Sequence, residues 1–511
     1  LAHKKTLELQ KRILEYIQRN MPAKGTNGST ITLEDLSFKD PEGLNDIAKQ
    51  LDMKYAKKGS LEGWLRGRVV IKNGKGKVIS KGTMTNLIPI PYLTDRGTFL
   101  INGSEKNILS QMRLKPGSYT TKVAEKGSRS EVKTQLMFSK GPNSGSYMPR
   151  IDISFKPLEN EFKVTINSKP SVELNGICFA RQLGFTDGEI SQMLGNGTEA
   201  NLMFAKYGNR NNKSIMDIYK GIVGKNPTVS QSVARQDVFD FFRDNALFQT
   251  GSAVVQTNLD MKGKDTSYLS KQIIAKAIQK TFMVSRDDVA SDSKDDIKYK
   301  DIVNDTDLLM EQVEKDIDEF VKKSKERLEK PEDELNANAL TPVLKLGNSV
   351  KNFMSTSMLV QTPEEINPLF IEAMNRKVTQ LGEGGLSSEA ATNEFGARNL
   401  TVSGVNKVDP IETPESGNVG LVQHLTQSAT IRDKTIYIPV YNVKNGIAEI
   451  SKKNEKEIST IDDYNARVAF NDSRFVKREG DKLVFTASEV PGRYLGKMLN
   501  LSVNQVQYID T

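Results

Sequence analysis

The sequence predicts a mixed α+β fold divided into several domains. Three observations lead there. Segments with a two-residue apolar alternation are interspersed with segments of three-to-four-residue periodicity. Asn-Gly and Gly-rich dipeptides sit between paired β-type runs. The chain has 511 residues, and roughly 150 residues per domain gives about three domains.

Residues 7–20 read as an amphipathic helix, with Leu9, Ile13, Tyr16 and Ile17 on one face and Lys11, Arg12 and Arg19 elsewhere. Around 67–81, Val69-Val70-Ile71 and Val78-Ile79 flank Asn73-Gly74-Lys75-Gly76, a strand–turn–strand pattern. At 97–109 the arms Thr98-Phe99-Leu100-Ile101 and Asn107-Ile108-Leu109 enclose Asn102-Gly103. Asn-Gly is favoured there because both turn residues need positive φ. Residues 125–149, rich in Gly, Ser and Lys, are expected to form a domain boundary or long surface loop. Strands are expected at 150–156 and 161–166, then a mostly helical stretch over 171–284 and a solvated Asp/Ser/Lys-rich loop at 286–301. Residues 306–329 form the clearest helix, stepping through Leu309, Val313, Ile317, Phe320, Ser324 and Leu328, with Asp305 or Thr306 as its cap. Past 430 short strands return, such as Thr435–Val440.

Composition narrows the chemistry. Hydrophobic residues make up 37% and charged residues 27%, the balance of a globular protein. No apolar run reaches the roughly 18 residues of a membrane span, and the start carries no signal-peptide pattern. The first residue is Leu1, so a few leading residues are expected to be missing. Cys178 is the only cysteine, and His3 and His424 are the only histidines. That excludes an internal disulfide and a Cys/His zinc site within one chain, because such sites need three or four ligands. Cys178 and His424 are conceivable as a nucleophile pair, against the plainer reading of a buried small cysteine. The cysteine usage suits a reducing compartment, the cytoplasm. A net charge of +8 favours an anionic partner, with nucleic acid first.

Three segments carry more information. Ile90 to Lys106, continuing to Pro116-Gly117, is a hairpin followed by a turn. Lys377-Val378-Thr379-Gln380-Leu381-Gly382-Glu383-Gly384-Gly385-Leu386 clusters glycines, yet fails as a dinucleotide fingerprint because Ser387 stands at the third glycine position. A tight backbone turn near a ligand or another chain is the safer reading. Asp409-Pro410-Ile411-Glu412-Thr413-Pro414-Glu415-Ser416-Gly417-Asn418-Val419-Gly420-Leu421-Val422 is a rigid polar loop. Glu412 and Glu415 are a conceivable acid/base pair. The alternative is that they cap backbone amides or pair with basic side chains, since no nucleophile or metal ligands accompany them.

Together these segments resemble the β subunit of multisubunit DNA-dependent RNA polymerases. The first is similar to the protrusion motif of bacterial β, and the other two to its rifamycin-pocket and fork motifs. Order and spacing agree, apart from a short insertion near 391–396. Leu269–Met283 with Asp295-Asp296-Ile297 is similar to the end of the β lobe, and Val506–Asp510 to a further family segment. The resemblance implies a protrusion built from 1–125 and 299–382, a lobe over 126–298 and a fork over 383–511. It places Gln361, Lys377 and Asn418 where the family lines the RNA–DNA hybrid. Arg398, Glu412 and Glu415 match fork-loop positions, and Glu364, Met374 and Thr379 match the drug pocket. Lys377 stands for an arginine, which keeps the charge and loses the bidentate fork. Ser388 and Ala390 stand where bacterial β has arginines.

The resemblance further implies the amino-terminal half of a split β subunit of the giant-bacteriophage kind, without activity alone and with no catalytic or metal-binding residues of its own. Expected partners are a C-terminal β-like chain, β′-like chains that carry Mg²⁺, a promoter-specificity factor, template DNA and nascent RNA. The location implied is an infected cell's cytoplasm or a virion. Two other classes compete: a nucleic-acid-binding scaffold that lost polymerase function, and a stand-alone hydrolase using Glu412 and Glu415.

Overall fold

The computed structural model describes residues 2–511 apart from 42, 43, 45, 57, 125–129, 139–149, 168–170, 196, 208–213, 224–229, 245–250, 332–334, 336–346, 365–366, 388–390 and 392–395. The chain folds as two compact units, one of Leu1–Arg113 with Asp295–Thr511 and one of Leu114–Lys294. The mixed α+β class expected from the sequence is the class found.

The first unit opens with helix α1 (Ala2–Asn20). Strands β1 (Ala23–Lys24), β2 (Thr30–Lys39), β3 (Glu62–Lys72) and β4 (Val78–Pro91) then form a sheet in sequence order, with α2 (Ile47–Tyr55) between β2 and β3. The predicted Asn73–Gly76 turn joins β3 to β4, and the Asn73 side chain accepts hydrogen bonds from Lys75 N and Lys77 N. The second predicted hairpin is β5 (Phe99–Ile101) and β6 (Ser104–Ile108). Asn102 and Gly103 take φ of 51° and 72°, the positive values that a two-residue hairpin turn demands. Strand β7 (Ser110–Leu114) leads to the second unit.

That unit is a five-stranded antiparallel sheet, ordered β12-β11-β10-β9-β8, with helices packed on it. Its strands are β8 (Gly117–Ala124), β9 (Ser130–Met137), β10 (Arg150–Lys156), β11 (Glu161–Asn167) and β12 (Val172–Asn175). Strand β9 corrects the loop expected over 125–149. Val132, Thr134 and Leu136 alternate to one side and are wholly buried, a period-two signal hidden among the Ser and Lys residues. Strand β12 likewise precedes the helices at the start of the 171–284 stretch. The helices are α3 (Gly176–Gln182), α4 (Asp187–Leu194), α5 (Thr198–Tyr207), α6 (Ile215–Val223), α7 (Gln231–Asp244), α8 (Ser252–Asn258) and α9 (Lys271–Ser285). Phe282 of α9 meets Phe155 and Phe162 at ring-centroid distances of 4.4 and 5.3 Å and centres this core. Lys280 is also buried there, held by Asp292 and the Asn258 carbonyl, each at 2.7 Å. Cys178 is buried in α3 of this unit while His424 belongs to the other, so neither unit assembles the conceivable nucleophile pair.

The chain returns to the first unit at Asp295. The predicted solvated loop over 286–301 ends early: Ile297 and Tyr299 are 5% exposed, and β13 (Lys300–Val303) follows. Lysines and Asp301 continue past Asp296, but Ile297, Tyr299 and Ile302 alternate with them and pack inward. Helix α10 (Asp305–Leu328) is capped by Asn304, whose side chain accepts from Asp307 N, rather than by Asp305 or Thr306. Then come α11 (Asn348–Thr356), β14 (Val360–Gln361), α12 (Pro368–Asn375), β15 (Lys377–Thr379) and β16 (Val422–His424). The remaining strands are β17 (Thr430–Arg432), β18 (Thr435–Lys444), β19 (Ile447–Glu449), β20 (Glu455–Ser459), β21 (Val468–Ala469), β22 (Val476–Glu479), β23 (Lys482–Phe485), β24 (Glu489–Tyr494), β25 (Lys497–Ser502) and β26 (Tyr508–Asp510). Among the described residues they make one ten-stranded sheet built around β18, with α13 (Thr460–Asn465) beside it.

Helices α1 and α10 share the first unit's main core through Leu9, Ile13, Ile17, Val313, Ile317 and Phe320. Their polar edges meet in a run of ion pairs and hydrogen bonds: Lys5–Asp305 at 3.0 Å, Arg12–Asp307 at 2.9 Å, and Tyr16 Oη donating to Asp318 at 2.8 Å. Glu314 lies on the same helix without a side-chain partner among the described residues. Burial, then the neighbouring Glu311 and Asp318 carboxylates, push it up to about 7, against the pull of Arg12 and Lys434. A raised carboxyl favours folding in its neutral form, so this contribution is intact below the ordinary carboxyl range and is lost as pH rises through about 7. Glu314→Gln is therefore expected to raise the melting temperature of the full chain at pH 8 and leave it unchanged at pH 4. The linkage ceiling is about 3 kcal/mol, and melting curves at the two pH values measure it.

Candidate nucleic-acid interface

A second, four-stranded sheet of the first unit, ordered β13-β7-β15-β16, carries the informative segments. Strand β15 runs parallel to β7, with Thr379 opposite Gln111, and antiparallel to β16, with Lys377 opposite His424. The hairpin segment, the glycine segment and the polar loop therefore converge on adjacent strands, although about 270 residues separate the first two in sequence.

The glycine segment is a tight turn. Gly385 N donates to Gly382 O, Leu386 N donates to Gln380 O, and Gly382 and Gly384 take φ of 106° and 88°. Those angles are open to glycine and strained for other residues. From β7, Gln111 Nε2 donates to Leu381 O at 2.7 Å and braces the turn from within.

The polar loop is fastened through its backbone. The Asp409 side chain accepts from Ile411 N and Glu412 N. Thr413 Oγ1 donates to Val422 O and accepts from Gly420 N, both at 2.9 Å, and so closes the loop across its base. Arg398 holds the tip: Nη1 donates to Gly417 O at 2.8 Å and Val419 O at 2.9 Å, and Nη2 donates to Ala391 O at 3.0 Å. Asn418 lies between the two gripped carbonyls and is exposed. Gly420 has φ of 74°, and a Cβ there would lie 2.5 Å from Arg398 O. Gln380 N donates to Leu421 O, joining the glycine turn to this loop.

Behind the loop lies a buried charge cluster. Lys407 Nζ donates to Ser403 O at 2.8 Å and to Asp463 at 2.7 Å. Arg493 donates to Asp463 Oδ1 at 2.9 Å and to Asp510 Oδ1 at 2.7 Å. Lys407 is 1% exposed and Arg493 and Asp463 are 2% exposed each. Burial by itself pushes the Asp463 carboxyl up, yet Lys407 and Arg493 together hold it below the ordinary range.

The predicted site residues divide by position. Arg398 and Asn418 are brought together as described. Lys377, half-buried, is the cross-strand neighbour of His424, whose Nε2 lies 3.6 Å from the Glu412 carboxylate and whose Nδ1 lies 3.3 Å from Glu412 O. Glu415 is exposed and has no side-chain partner among the described residues. The backbone amides of Ile411 and Glu412 are capped by Asp409, and the Glu412 carboxylate faces the His424 ring. Gln361 sits in another sheet, opposite Asn107 of β6, and is exposed. Of the drug-pocket positions, Glu364 is exposed, whereas Met374 and Thr379 are 3% exposed. The Thr379 hydroxyl accepts from Leu381 N at 3.1 Å. Ser388 and Ala390 lie outside the described residues. Sequence reasoning did not find Lys407, Asp463 or Arg493. Gln380 and Asp510 lie within the glycine segment and the Val506–Asp510 segment, where no role was assigned to them.

Comparison with known proteins bears on the same segments. Residues 361–431, which hold the glycine turn and polar loop, match the family model described as RNA polymerase Rpb2, domain 3. The chain is 27% identical over 484 residues to a DNA-directed RNA polymerase subunit beta of Synechocystis, covering 93% of this chain and 42% of that protein. The same identity holds to the Thermosynechococcus vestitus subunit, over 93% and 41%. The Prochlorococcus marinus (strain MIT 9301) subunit is 25% identical over 98% and 45%. These likenesses support an RNA polymerase β-type protein. The chain spans less than half the length of the curated relatives it matches.

Removing one member of the charge cluster leaves an uncompensated buried charge. Lys407→Ala is expected to destabilise the first unit by roughly 3–5 kcal/mol, read as a lower denaturant midpoint for the full chain. Because the Asp463 carboxyl is held down, the cluster's contribution is present above the ordinary carboxyl range and is lost as pH falls below it.

Proposed function

We propose that this chain is the amino-terminal half of a split β-like subunit of a DNA-directed RNA polymerase, of the kind giant bacteriophages encode. The observation that carries the reading is the convergence of three β-like segments, collinear in sequence, on strands β7, β15 and β16 and their connecting turns. In this reading residues 1–125 and 299–382 are the protrusion, 126–298 the lobe and 383–511 the fork. Gln361, Lys377 and Asn418 face the RNA–DNA hybrid, and Arg398 sets the loop that presents Asn418. Contacts of this kind address phosphates, so they are independent of sequence and sensitive to salt. The net charge of +8 suits them.

The chain supplies one wall of the main channel and has no activity alone. Templated nucleotidyl transfer takes place in a complex with a C-terminal β-like chain and β′-like chains. Mg²⁺ is held by the β′-like partner, where paired metals stabilise the attacking and leaving oxygens. A promoter-specificity factor completes the assembly, which acts in the cytoplasm of an infected cell or is packaged in a virion.

Affinity purification of the tagged chain from its native context, with mass spectrometry of what accompanies it, tests the reading. Equal amounts of a C-terminal β-like chain and aspartate-rich β′-like chains are expected. Recovery of the chain alone, or with nucleic acid only, would overturn it in favour of a binding scaffold. The assembled enzyme is further expected to resist rifamycins at concentrations that inhibit bacterial polymerases, because Met374 replaces a polar partner and the Thr379 hydroxyl is engaged with Leu381 N. Inhibition of RNA synthesis in a titration would contradict this.

A further inference from the structure

Arg113 lies at the end of β7, outside every residue assigned to the interface above. Its side chain is 14% exposed, and its donors point three ways. Nε donates to Gln111 Oε1, Nη1 donates to Glu311 Oε1 of α10 at 2.6 Å, and Nη2 donates to Glu383 O at 3.1 Å. The guanidinium lies directly against Gly384, where a Cβ would sit 2.8 Å from Cζ. Lys315 of α10 also reaches the turn, through Glu383 at 2.9 Å. Glu383 is 71% exposed in that pair, so water screens it and it contributes little. Arg113 is thus the shielded link between α10 and the turn at 381–386. The planar fork suits that place: its donors are spread over three nitrogens in one rigid plane and reach a carboxylate, an amide oxygen and a backbone carbonyl in three directions, whereas an ammonium gathers its donors at one point.

The turn is the hinge of the interface. It follows β15, which ends two residues after Lys377, and the residue that leads into it, Gln380, donates its N–H to Leu421 O at the base of the loop that carries Asn418. We propose that Arg113 is a positioning residue for hybrid binding: it pins the glycine turn to α10 and thereby sets the placement of Lys377 and the Asn418 loop. The proposal rests on the polymerase reading above and deepens it.

If Arg113 acts through the turn on Lys377, the two cannot contribute independently. The test is a double-mutant cycle on the purified multisubunit complex, with affinity for a short RNA–DNA hybrid scaffold as readout. Arg113→Gln and Lys377→Gln are each expected to weaken binding about tenfold, and the double variant about tenfold rather than the hundredfold of independent sites. Arg113→Lys keeps the charge without the fork and is expected to behave like Arg113→Gln. Gly384→Ala displaces the guanidinium while leaving it in the chain, and is expected to show the same coupling to Lys377→Gln. Should Arg113→Gln fail to assemble, that second cycle decides. Multiplicative losses, full rescue by Arg113→Lys, or unchanged binding in Arg113→Gln would overturn the proposal. A wild-type complex that neither binds the hybrid nor makes templated RNA would overturn the polymerase reading itself, and this proposal with it.

Discussion

The Lys407–Asp463–Arg493–Asp510 cluster is the constraint on which the interface depends. Two cations and two carboxylates are enclosed where water does not reach them, and each finds an opposite charge within hydrogen-bond distance. Desolvating such groups costs several kcal/mol per ion, which well-made pairs roughly offset. The cluster is thus a poor source of net stability and a strong source of position. Its members come from the segment just before the polar loop, from α13, from β24 and from β26, so satisfying all four fixes four separated stretches in a single arrangement. Apolar packing alone tolerates small slides between such elements, whereas a buried charge does not.

From that anchor the loop is held by successively lighter contacts. Lys407 also bonds Ser403 O, four residues back, and thereby orders the turn that leads to Asp409. Asp409 then caps Ile411 N and Glu412 N, and Thr413 ties the two ends of the loop together. Arg398 finally grips the carbonyls on either side of Asn418. Charge is buried deepest, and the exposed tip is shaped by hydrogen bonds to backbone. Ile411, 86% exposed, and Val419, 46% exposed, are left as apolar points on an otherwise polar rim.

Elements whose signal is local were legible in the sequence. Helices α1 and α10 follow from a single apolar stripe each, and the 102–103 hairpin from the positive φ that Asn-Gly accepts. Strand β9 was not legible, because its alternation of Val132, Thr134 and Leu136 is embedded in residues that elsewhere mark loops. The cap of α10 was misplaced by one residue because Asn304, Asp305 and Thr306 are all competent capping types, and only the backbone decides among them. At the interface, the motifs located the turn and the loop. They did not single out the residues that hold them: Arg113 lies within the first segment but acts on a turn some 270 residues away, and Asp463 and Arg493 sit in stretches with no pattern of their own.

The nature of those long-range contacts bears on how much sequence change the turn and the loop can accept. Arg398 reads the carbonyls of Gly417 and Val419, Gln111 reads that of Leu381, and Arg113 reads that of Glu383. A carbonyl is present whatever side chain occupies the position, so the gripped residues can change while the grip stays. The demand falls instead on the gripping side chains and on glycines such as Gly384 and Gly420, where a Cβ would collide with the group that holds the turn. Sequence freedom in the loop and strictness in its supports are two sides of one geometry. The position of the Lys377 charge follows the same rule: it is set by β15 and the strands β7 and β16 on either side of it.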